Sequence, residues 1–97
     1  MTSFALSPRA REDLSKIWDY ASRRWGMDQA DLYIRKIVSI CTDLGSGRLQ
    51  GRSAEAIRPG YRKYAAGSHV LFYRLNDDDK VEVIRILHQR MAVGRHF

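Results

Sequence analysis

The sequence is poor in the features that would support a disulfide framework or a membrane protein. Cys41 is its only cysteine, so an internal disulfide is excluded, and we expect this side chain to be a small buried hydrophobe on a helix. No run of about 18 apolar residues occurs, which excludes a membrane-spanning helix. The first six residues lack the charged start of a signal peptide and are too short to form one. We therefore expect a cytoplasmic protein that makes no contact with a membrane.

Few patterns point to catalysis or to cofactor binding. The three histidines, His69, His88 and His96, are scattered, and none is paired with another histidine or the cysteine at the spacing of a metal site. The glycines in segment 45–47 are not followed by Gly-Lys-Ser/Thr, which excludes a Walker loop. Three consecutive aspartates, Asp77 to Asp79, cannot all converge on one cation, and they are typical of turn chemistry. We expect no cofactor and no metal.

Positive charge is what the sequence has in excess. It contains 17 Lys and Arg against 11 Asp and Glu, a net charge of +6. This surplus favours a polyanion or an acidic protein partner, although a well-solvated surface explains it equally well. In segment 45–60, Arg48, Arg52 and Arg58 stand against Glu55, so this linker is either a solvated loop or a basic contact surface. The composition does not decide between these readings.

Segment 61–88 has the pattern of three consecutive strands, and the rest of the chain is organised around it. Val, Ile, Tyr and Phe dominate 61–65, 70–76 and 81–88, as a half-buried pleated surface favours. Segment 66–68 contains a glycine that permits a tight turn, and 76–79 consists of Asn and Asp, which hydrogen-bond their own backbone. The sequence predicts an antiparallel meander over this segment.

Before the meander, the chain predicts one short strand and two helices. Residues 2–6 alternate as an edge strand does, and Ser7 and Pro8 are favoured at the N-cap and first turn of a helix. Apolar residues then recur at helical spacing as far as Trp25, and Gly26 ends the helix. We predict a second helix from a cap at Asp28 to Gly45. The charged residues of the first helix, including Asp13, are expected on its solvent faces.

The predicted order is β-α-α-β-β-β in a single domain covering residues 1–97. This order favours an α+β fold of two layers, with an N-terminal helical hairpin packed on one face of a small antiparallel β-sheet. The first strand is expected beside the last or the middle strand of the meander. Leu32, Val38 and Ile40 widen the apolar stripe of the second helix beyond one face, so this helix touches more than the sheet. The first helix and a partner chain are both candidates.

Several motifs together resemble the ParE toxins of ParD/ParE toxin–antitoxin modules, within the wider RelE/ParE superfamily. The strongest is FALSPRAREDLSKIWDYASRRWG at 4–26, and the resemblance extends in order over nearly the whole chain. The further matching segments are Gly51-Arg52, Ile57-Arg58-Pro59-Gly60-Tyr61-Arg62, Leu71-Phe72-Tyr73-Arg74, and Val83-Ile84-Arg85-Ile86-Leu87-His88 followed by Arg90.

The resemblance implies a RelE/ParE-like fold and a toxin that stops growth. Such a toxin inhibits DNA gyrase by binding, without catalysis of its own, and is neutralised by a ParD-like antitoxin whose disordered segment folds onto it. The antitoxin would carry operator DNA binding, so this chain would reach operator DNA only indirectly. An alternative is a RelE-like, ribosome-dependent mRNA endonuclease. This would require Arg62, His69 and His88 to converge, and the chain lacks the tyrosine typical of the RelE tail.

Two sets of candidate site residues follow. The tail 89–97 carries cations but no acid and ends on an apolar residue, which indicates that it docks somewhere. The candidate gyrase-binding residues are Arg85, His88, Arg90, Arg95, His96 and Phe97. The candidate antitoxin-binding residues are Trp18, Leu32, Ile40, Arg58 and Tyr73. Trp18 and Trp25 are also candidates for the internal core.

Overall fold

The structure, a computed structural model, describes residues 4–91 and 93–97. The elements are β1 (Phe4–Leu6), α1 (Pro8–Trp25), α2 (Met27–Ser46), β2 (Arg52–Ser53), β3 (Arg62–Ala66), β4 (His69–Leu75), β5 (Val81–His88) and a 3-10 helix (Val93–Arg95). The strands form one sheet in the order β1-β5-β4-β3-β2. A helical hairpin on a small sheet, in the order predicted, is therefore confirmed.

The sheet is mixed, which corrects the purely antiparallel sheet that we predicted. β1 lies beside the last strand, one of the two positions that we considered, and runs parallel to β5, with Phe4 opposite Val81 and Leu6 opposite Val83. Parallel neighbours cannot be joined by a tight turn. Here the helical hairpin and strands β2 to β4 all lie between β1 and β5 in the chain, so a parallel pair is possible. A fifth strand, β2, pairs antiparallel with β3 inside the linker. Thr2 and Ser3 of the predicted first strand lie outside the described residues.

The helix boundaries follow from their caps. The Oγ of Ser7 accepts a hydrogen bond from the backbone N–H of Ala10 at 3.0 Å and donates one to the carbonyl of Ile84 at 2.7 Å, which joins α1 to β5. α2 begins at Met27, one residue before the predicted cap at Asp28. It also runs past Gly45, because Gly47 is the glycine that adopts the left-handed conformation, with φ of 84°.

The sheet separates two apolar clusters. On the helix side, alternate residues of β4 and β5, including Leu71 and Val83, pack with Ile37 and Cys41 of α2. Burial raises the pKa of the Cys41 thiol to about 11, so it is an unreactive core residue, as expected. Neither helix of the described chain is long and apolar enough to cross a membrane.

A smaller cluster covers the opposite face of the sheet, which we call the outer face. Its buried members are Ala54, Phe72 and Leu87, and its partly buried members are Ile57, Tyr61, Val70, Val93 and Phe97. The ring of Phe97 lies 5.1 Å from that of Phe72 and 5.6 Å from that of Tyr61, in edge-to-face contacts. The tail, which the sequence suggested was docked without indicating where, therefore packs on the sheet of its own domain.

Candidate partner-binding groove

An open cavity of about 570 Å³ lies between α1 and the ends of β4 and β5. We call it the groove. Its lining residues are Asp13, Lys16, Ile17, Tyr20, Ala21, Trp25, Tyr33, Ser68, His69, Ile86, His88 and Met91. Most of these side chains are apolar or aromatic, with a few polar groups that converge at one end. Binding sites in proteins commonly have this character.

Large apolar side chains at the rim of the groove are exposed. The side chain of Trp25 is 58% exposed, and it meets Tyr20 edge to face with 6.2 Å between ring centroids. Trp25 and Tyr33 also line a smaller adjoining cavity with Leu32 and Lys36. The alternative that Trp25 belongs to the core is therefore wrong, because this last residue of α1 faces the groove. Exposed apolar groups gathered at a concave site are typical of an interface.

Tyr33, His69 and His88 form the polar end of the groove. The Tyr33 hydroxyl lies 2.7 Å from His69 Nδ1 and accepts a hydrogen bond from the Ser68 N–H at 3.0 Å. The rings of His69 and His88 meet edge to face at 5.3 Å. The backbone N–H of Arg90 donates to His88 Nδ1 at 3.1 Å. Tyr33 was not a candidate from sequence, since nothing local connects it to a histidine 36 residues away.

The turn between β3 and β4 fits closely against Tyr33. Gly67 has φ of 62°, and a Cβ atom at this position would lie 2.8 Å from both Cε1 and the hydroxyl oxygen of Tyr33. We expect Gly67→Ala to displace the tyrosine and to lower the free energy of unfolding by about 1–3 kcal/mol, measured by urea denaturation. Gly47→Ala is the matched control, because Gly47 also has a positive φ, of 84°, and its Cβ would meet nothing within 4 Å. Equal losses in both variants would contradict the close fit.

The surroundings of His69 make the stability of the domain depend on pH. Burial, followed by the nearby His88, lowers the pKa of His69 from its ordinary value of 6.5. The unfolded chain therefore takes up a proton at a higher pH than the folded chain. Stability contributed by neutral His69 is present above pH 6.5 and is lost as the pH falls through 6.5 toward the lowered value. Tyr33 and His88 contact His69, the charge of Asp13 acts on it from nearby, and Lys16 lines the same groove.

We expect His69→Gln to reduce this pH dependence. The free energy of unfolding of the unmodified protein should fall as the pH is lowered from 7.5 to about 5, and that of the variant should fall less. Glutamine can still hydrogen-bond the Tyr33 hydroxyl, so the variant should remain folded. Urea titrations at a series of pH values measure both curves. Parallel curves would show that another group is responsible.

Arg85 and Asp13 form a buried ion pair beside the groove. Asp13 accepts hydrogen bonds from Arg85 Nε at 2.8 Å, from Arg85 Nη2 at 2.9 Å and from the backbone N–H of Ile86 at 2.9 Å. The Asp13 hydrogen bonds raise the pKa of Arg85. Arg85 Nη1 also donates to the carbonyl of His96 at 3.2 Å. The pair thus joins α1, β5 and the tail.

This arrangement corrects two expectations. Arg85 is 9% exposed and its guanidinium is occupied by Asp13, so it is unavailable as a direct contact for a target. Asp13 is buried, although we placed it on a solvent face of α1. β1 ends opposite Val83, and Asp13 then hydrogen-bonds the edge of β5 that β1 leaves uncovered. The helical periodicity of the sequence gives no indication that Asp13 contacts the edge of β5.

The other candidate gyrase-binding residues divide between two places. His88 lines the groove, whereas Phe97 packs on the outer face. Arg90 and Arg95 are exposed, and His96 is half-buried with its carbonyl bound to Arg85. The structure therefore does not bring these residues into one continuous site.

The candidate antitoxin-binding residues are likewise separated. Leu32 is 55% exposed at the groove rim. Trp18 is half-buried and its Nε1 donates to Asp31 Oδ1 at 2.8 Å, which links the two helices. Ile40 is half-buried and packs against the core. Of these three, Leu32 offers the free apolar surface.

Tyr73 and Arg58 lie away from the groove. Tyr73 is 4% exposed in the helix-side core, and its hydroxyl accepts a hydrogen bond from the Gly51 N–H at 2.7 Å. A partner cannot reach this side chain in the folded domain, so its assignment to the antitoxin surface is corrected. Arg58 is exposed in the loop over the outer face, next to Ile57 of the outer cluster.

The convergence required for RNA cleavage is only partial. His69 and His88 meet, but Arg62 lies at the other end of the β3–β4 hairpin, opposite Tyr73. Its Nη1 donates to the carbonyl of Gly51 at 3.2 Å. The β3 residue opposite His69 is Ala66, which is four residues along the strand from Arg62, or about 13 Å. Arg62 is therefore too far away to act with the two histidines.

Comparison with known proteins gives a consistent picture. The family described as "ParE toxin of type II toxin-antitoxin system, parDE" matches residues 4–93. The chain is 45% identical over 93 residues to Toxin ParE1 of Mycobacterium tuberculosis H37Rv, covering 96% of this chain and 95% of that protein. It is 42% identical over 96 residues to Toxin ParE1 of Caulobacter vibrioides, covering 99% and 98%.

Solved structures agree on the fold. A chain from the chromosomal ParDE toxin–antitoxin system of P. aeruginosa has a TM-score of 0.76 at 23% identity, with 91% of this chain and 96% of that chain covered. A chain of the toxin–antitoxin complex RelBE2 from Mycobacterium tuberculosis has a TM-score of 0.60 at 20% identity, with 91% and 98% covered. At these identities the likeness concerns the fold alone.

Proposed function

This chain belongs to the ParE toxin family of type II toxin–antitoxin systems, and we propose that it inhibits DNA gyrase by binding and is neutralised by a ParD-like antitoxin. The site of action would be the cytoplasm, where gyrase and DNA are found. The observation that carries the proposal is the open groove with its exposed apolar rim. An antitoxin that bound in the groove would bury this apolar surface. Inhibition requires no chemistry from this chain.

The groove suits an amphipathic, acidic segment of the antitoxin. Trp25 and Leu32 offer exposed apolar surface for the buried side of such a segment. Lys16 and Lys36 line the same cavities and would attract its acidic side. A segment that is disordered when free would fold as it fills the groove. Such a segment would also cover the exposed part of the apolar stripe of α2, to which Leu32 belongs.

For the gyrase contact, we propose the exposed cations of the tail region. Arg90 and Arg95 are accessible, and Arg85 acts through the tail, by holding the carbonyl of His96. We expect Arg90→Gln/Arg95→Gln to weaken inhibition of supercoiling at least tenfold, since two charged contacts are lost, each about 1 kcal/mol or more. Arg9→Gln/Arg11→Gln removes the same charge from exposed positions on α1 and is the matched control. Equal inhibition by both double variants would show that the gyrase contact does not depend on Arg90 and Arg95.

The alternative is a RelE-like mRNA endonuclease, and one observation favours it. His69 and His88 lie together with the Tyr33 hydroxyl in an open groove, and general acid–base cleavage of RNA uses such groups. Arg62, which would stabilise the phosphate, is at the far end of the hairpin. We therefore rank this alternative second.

One experiment separates the two functions. Purified chain is added to a gyrase supercoiling assay and, in parallel, to ribosomes programmed with mRNA, each with and without the antitoxin encoded beside it. We expect loss of supercoiling that the antitoxin relieves, with the mRNA intact. Cut mRNA with unaffected gyrase would overturn the proposal and make the histidine pair catalytic.

A further inference from the structure

The positive charge of the chain is unevenly distributed. Residues 1–46, which form β1 and the helical hairpin, contain seven cations and six acids. Residues 47–97, which form the remaining strands, the loop over the outer face and the tail, contain ten cations and five acids. Nearly all of the net charge of +6 therefore belongs to the sheet half of the domain.

Four of these cations surround the outer cluster. Arg52 lies directly opposite Lys63, and Lys63 lies directly opposite Phe72, so their side chains share the outer face of the sheet. Arg58 follows Ile57, and Arg95 lies between Val93 and Phe97, and these three apolar residues pack on the cluster. We call Arg52, Arg58, Lys63 and Arg95 the basic face.

The acids of this half leave the basic face largely uncompensated. Asp77 to Asp79 lie in the turn between β4 and β5, and Glu82 is in an ion pair with Arg74 at 2.9 Å. Glu55 is the one acid in the adjacent loop, and its carboxylate accepts a hydrogen bond from the Gly60 N–H. Among the described residues, no member of the basic face is in an ion pair.

The pair of Arg52 and Lys63 lowers the stability of the folded domain. Like charges directly opposite each other on neighbouring strands repel, and among the described residues neither Arg52 nor Lys63 is in an ion pair. A local arrangement that works against stability is expected where a surface has a function. The function that fits a set of unpaired cations is the binding of a polyanion.

We propose that the basic face binds the phosphate backbone of duplex DNA directly and without sequence preference. An acidic protein segment fits less well, because a protein partner needs exposed apolar anchors. The exposed large apolar side chains of the described chain lie elsewhere, and the apolar groups of the outer face are covered by the loop and the tail. The exposed ones are Tyr20, Trp25, Met27, Leu32, Val38, Leu75 and Met91.

Phosphate binding needs only what this face supplies. Three of its four cations are arginines, whose planar fork matches phosphate oxygens. A backbone contact of this kind is independent of any operator DNA bound through the antitoxin. It would place the toxin against the DNA on which a topoisomerase acts. The DNA-binding proposal itself does not depend on the gyrase proposal, and its test uses no topoisomerase.

The test measures binding of the purified chain to a short, fluorescently labelled duplex of arbitrary sequence by anisotropy, between about 50 and 200 mM salt. With four phosphate contacts, the logarithm of the association constant should fall with the logarithm of salt concentration with a slope of about −3 to −4. The variant Arg52→Gln/Lys63→Gln should reduce the steepness of this slope by about 2. Thermal melting should show that this variant is folded and no less stable, since it relieves a repulsion.

Arg9→Gln/Arg11→Gln, with the same loss of charge on α1, is the control and should retain the original slope. Equal changes in both double variants would overturn the proposal, because binding would then depend on net charge and not on this face. Competition by an oligoglutamate peptide as effective as unlabelled duplex would overturn it as well, in favour of an acidic protein. Absence of measurable duplex binding at about 50 mM salt would do the same.

Discussion

Replacing Asp13 with alanine is expected to lower the free energy of unfolding by about 3–5 kcal/mol. The substitution leaves the buried Arg85 without its carboxylate and leaves the Ile86 N–H at the edge of β5 without its acceptor. Domains of this size are stable by only about 5–15 kcal/mol, so the loss is a large fraction of the total. The melting temperature should fall by more than about 12 °C, measured by circular dichroism.

Two further variants show which interaction is responsible. Asp13→Asn keeps the shape of the side chain and can still accept the hydrogen bond from the Ile86 N–H. It should therefore lower the free energy of unfolding less than Asp13→Ala does. Asp19→Ala makes the same change at an exposed position of the same helix and should stay within about 0.5 kcal/mol. If Asp13→Ala costs no more than Asp19→Ala, Arg85 must find water or another partner when the carboxylate is removed, and the expectation of an uncompensated buried charge is wrong.

The same variants would reveal how the tail is held. Arg85 is the residue that connects Asp13 to the carbonyl of His96, so a displaced guanidinium should release the last residues. We expect hydrogen exchange of the His96 N–H, which donates to Val93, to accelerate in Asp13→Asn while the helix-side core remains protected. Unchanged exchange at this amide would show that Phe97 alone anchors the tail.

Replacing Leu32 with glutamate is expected to weaken antitoxin binding by about 100-fold. Leu32 is 55% exposed beside Trp25 in the adjoining cavity, and loss of an apolar anchor that a partner buries costs about 2 kcal/mol or more. The introduced carboxylate would also repel an acidic segment. Isothermal titration of the toxin variant with the purified antitoxin measures the change, and supercoiling assays show whether neutralisation is lost in parallel.

Leu75→Glu is a closely matched control. Leu75 is 56% exposed at the end of β4, away from the groove, so the same substitution adds the same charge with the same loss of apolar area. It should leave the antitoxin affinity within about twofold, a change below 0.5 kcal/mol. Equal weakening by both variants would mean that overall charge, and not the groove, governs the affinity.

The regular elements of this chain could be predicted because their causes are local. The Ser7 cap, the apolar repeat of α1 and the alternation in 81–88 express preferences of neighbouring residues, and each element appears in the structure close to its expected bounds. The resemblance carried by several motifs together, of which the FALSPRAREDL start belongs to the strongest, was sufficient to anticipate the ParE family. An exposed apolar surface was anticipated from the wide stripe of α2, in which Leu32 is one contributor.

The sites were decided by the tertiary structure, because they join residues far apart in the chain. Asp13 reaches Arg85 across 72 residues, and Tyr33 reaches His69 across 36. These contacts depend on where β1 ends beside β5 and on the bulge that shifts the register at Phe72 and Tyr73. Periodicity tells which side of an element is apolar, but a buried aspartate and an exposed one fit the same period.

The position of Trp25 has the same explanation. Its place on the apolar stripe of α1 follows from sequence, yet whether that stripe meets the core or an open groove depends on how far the sheet extends beneath the helix. Local sequence therefore determined the elements and the family. The packing of helix on sheet decided which apolar and charged side chains were left for a partner, because burial is a property of the assembled layers.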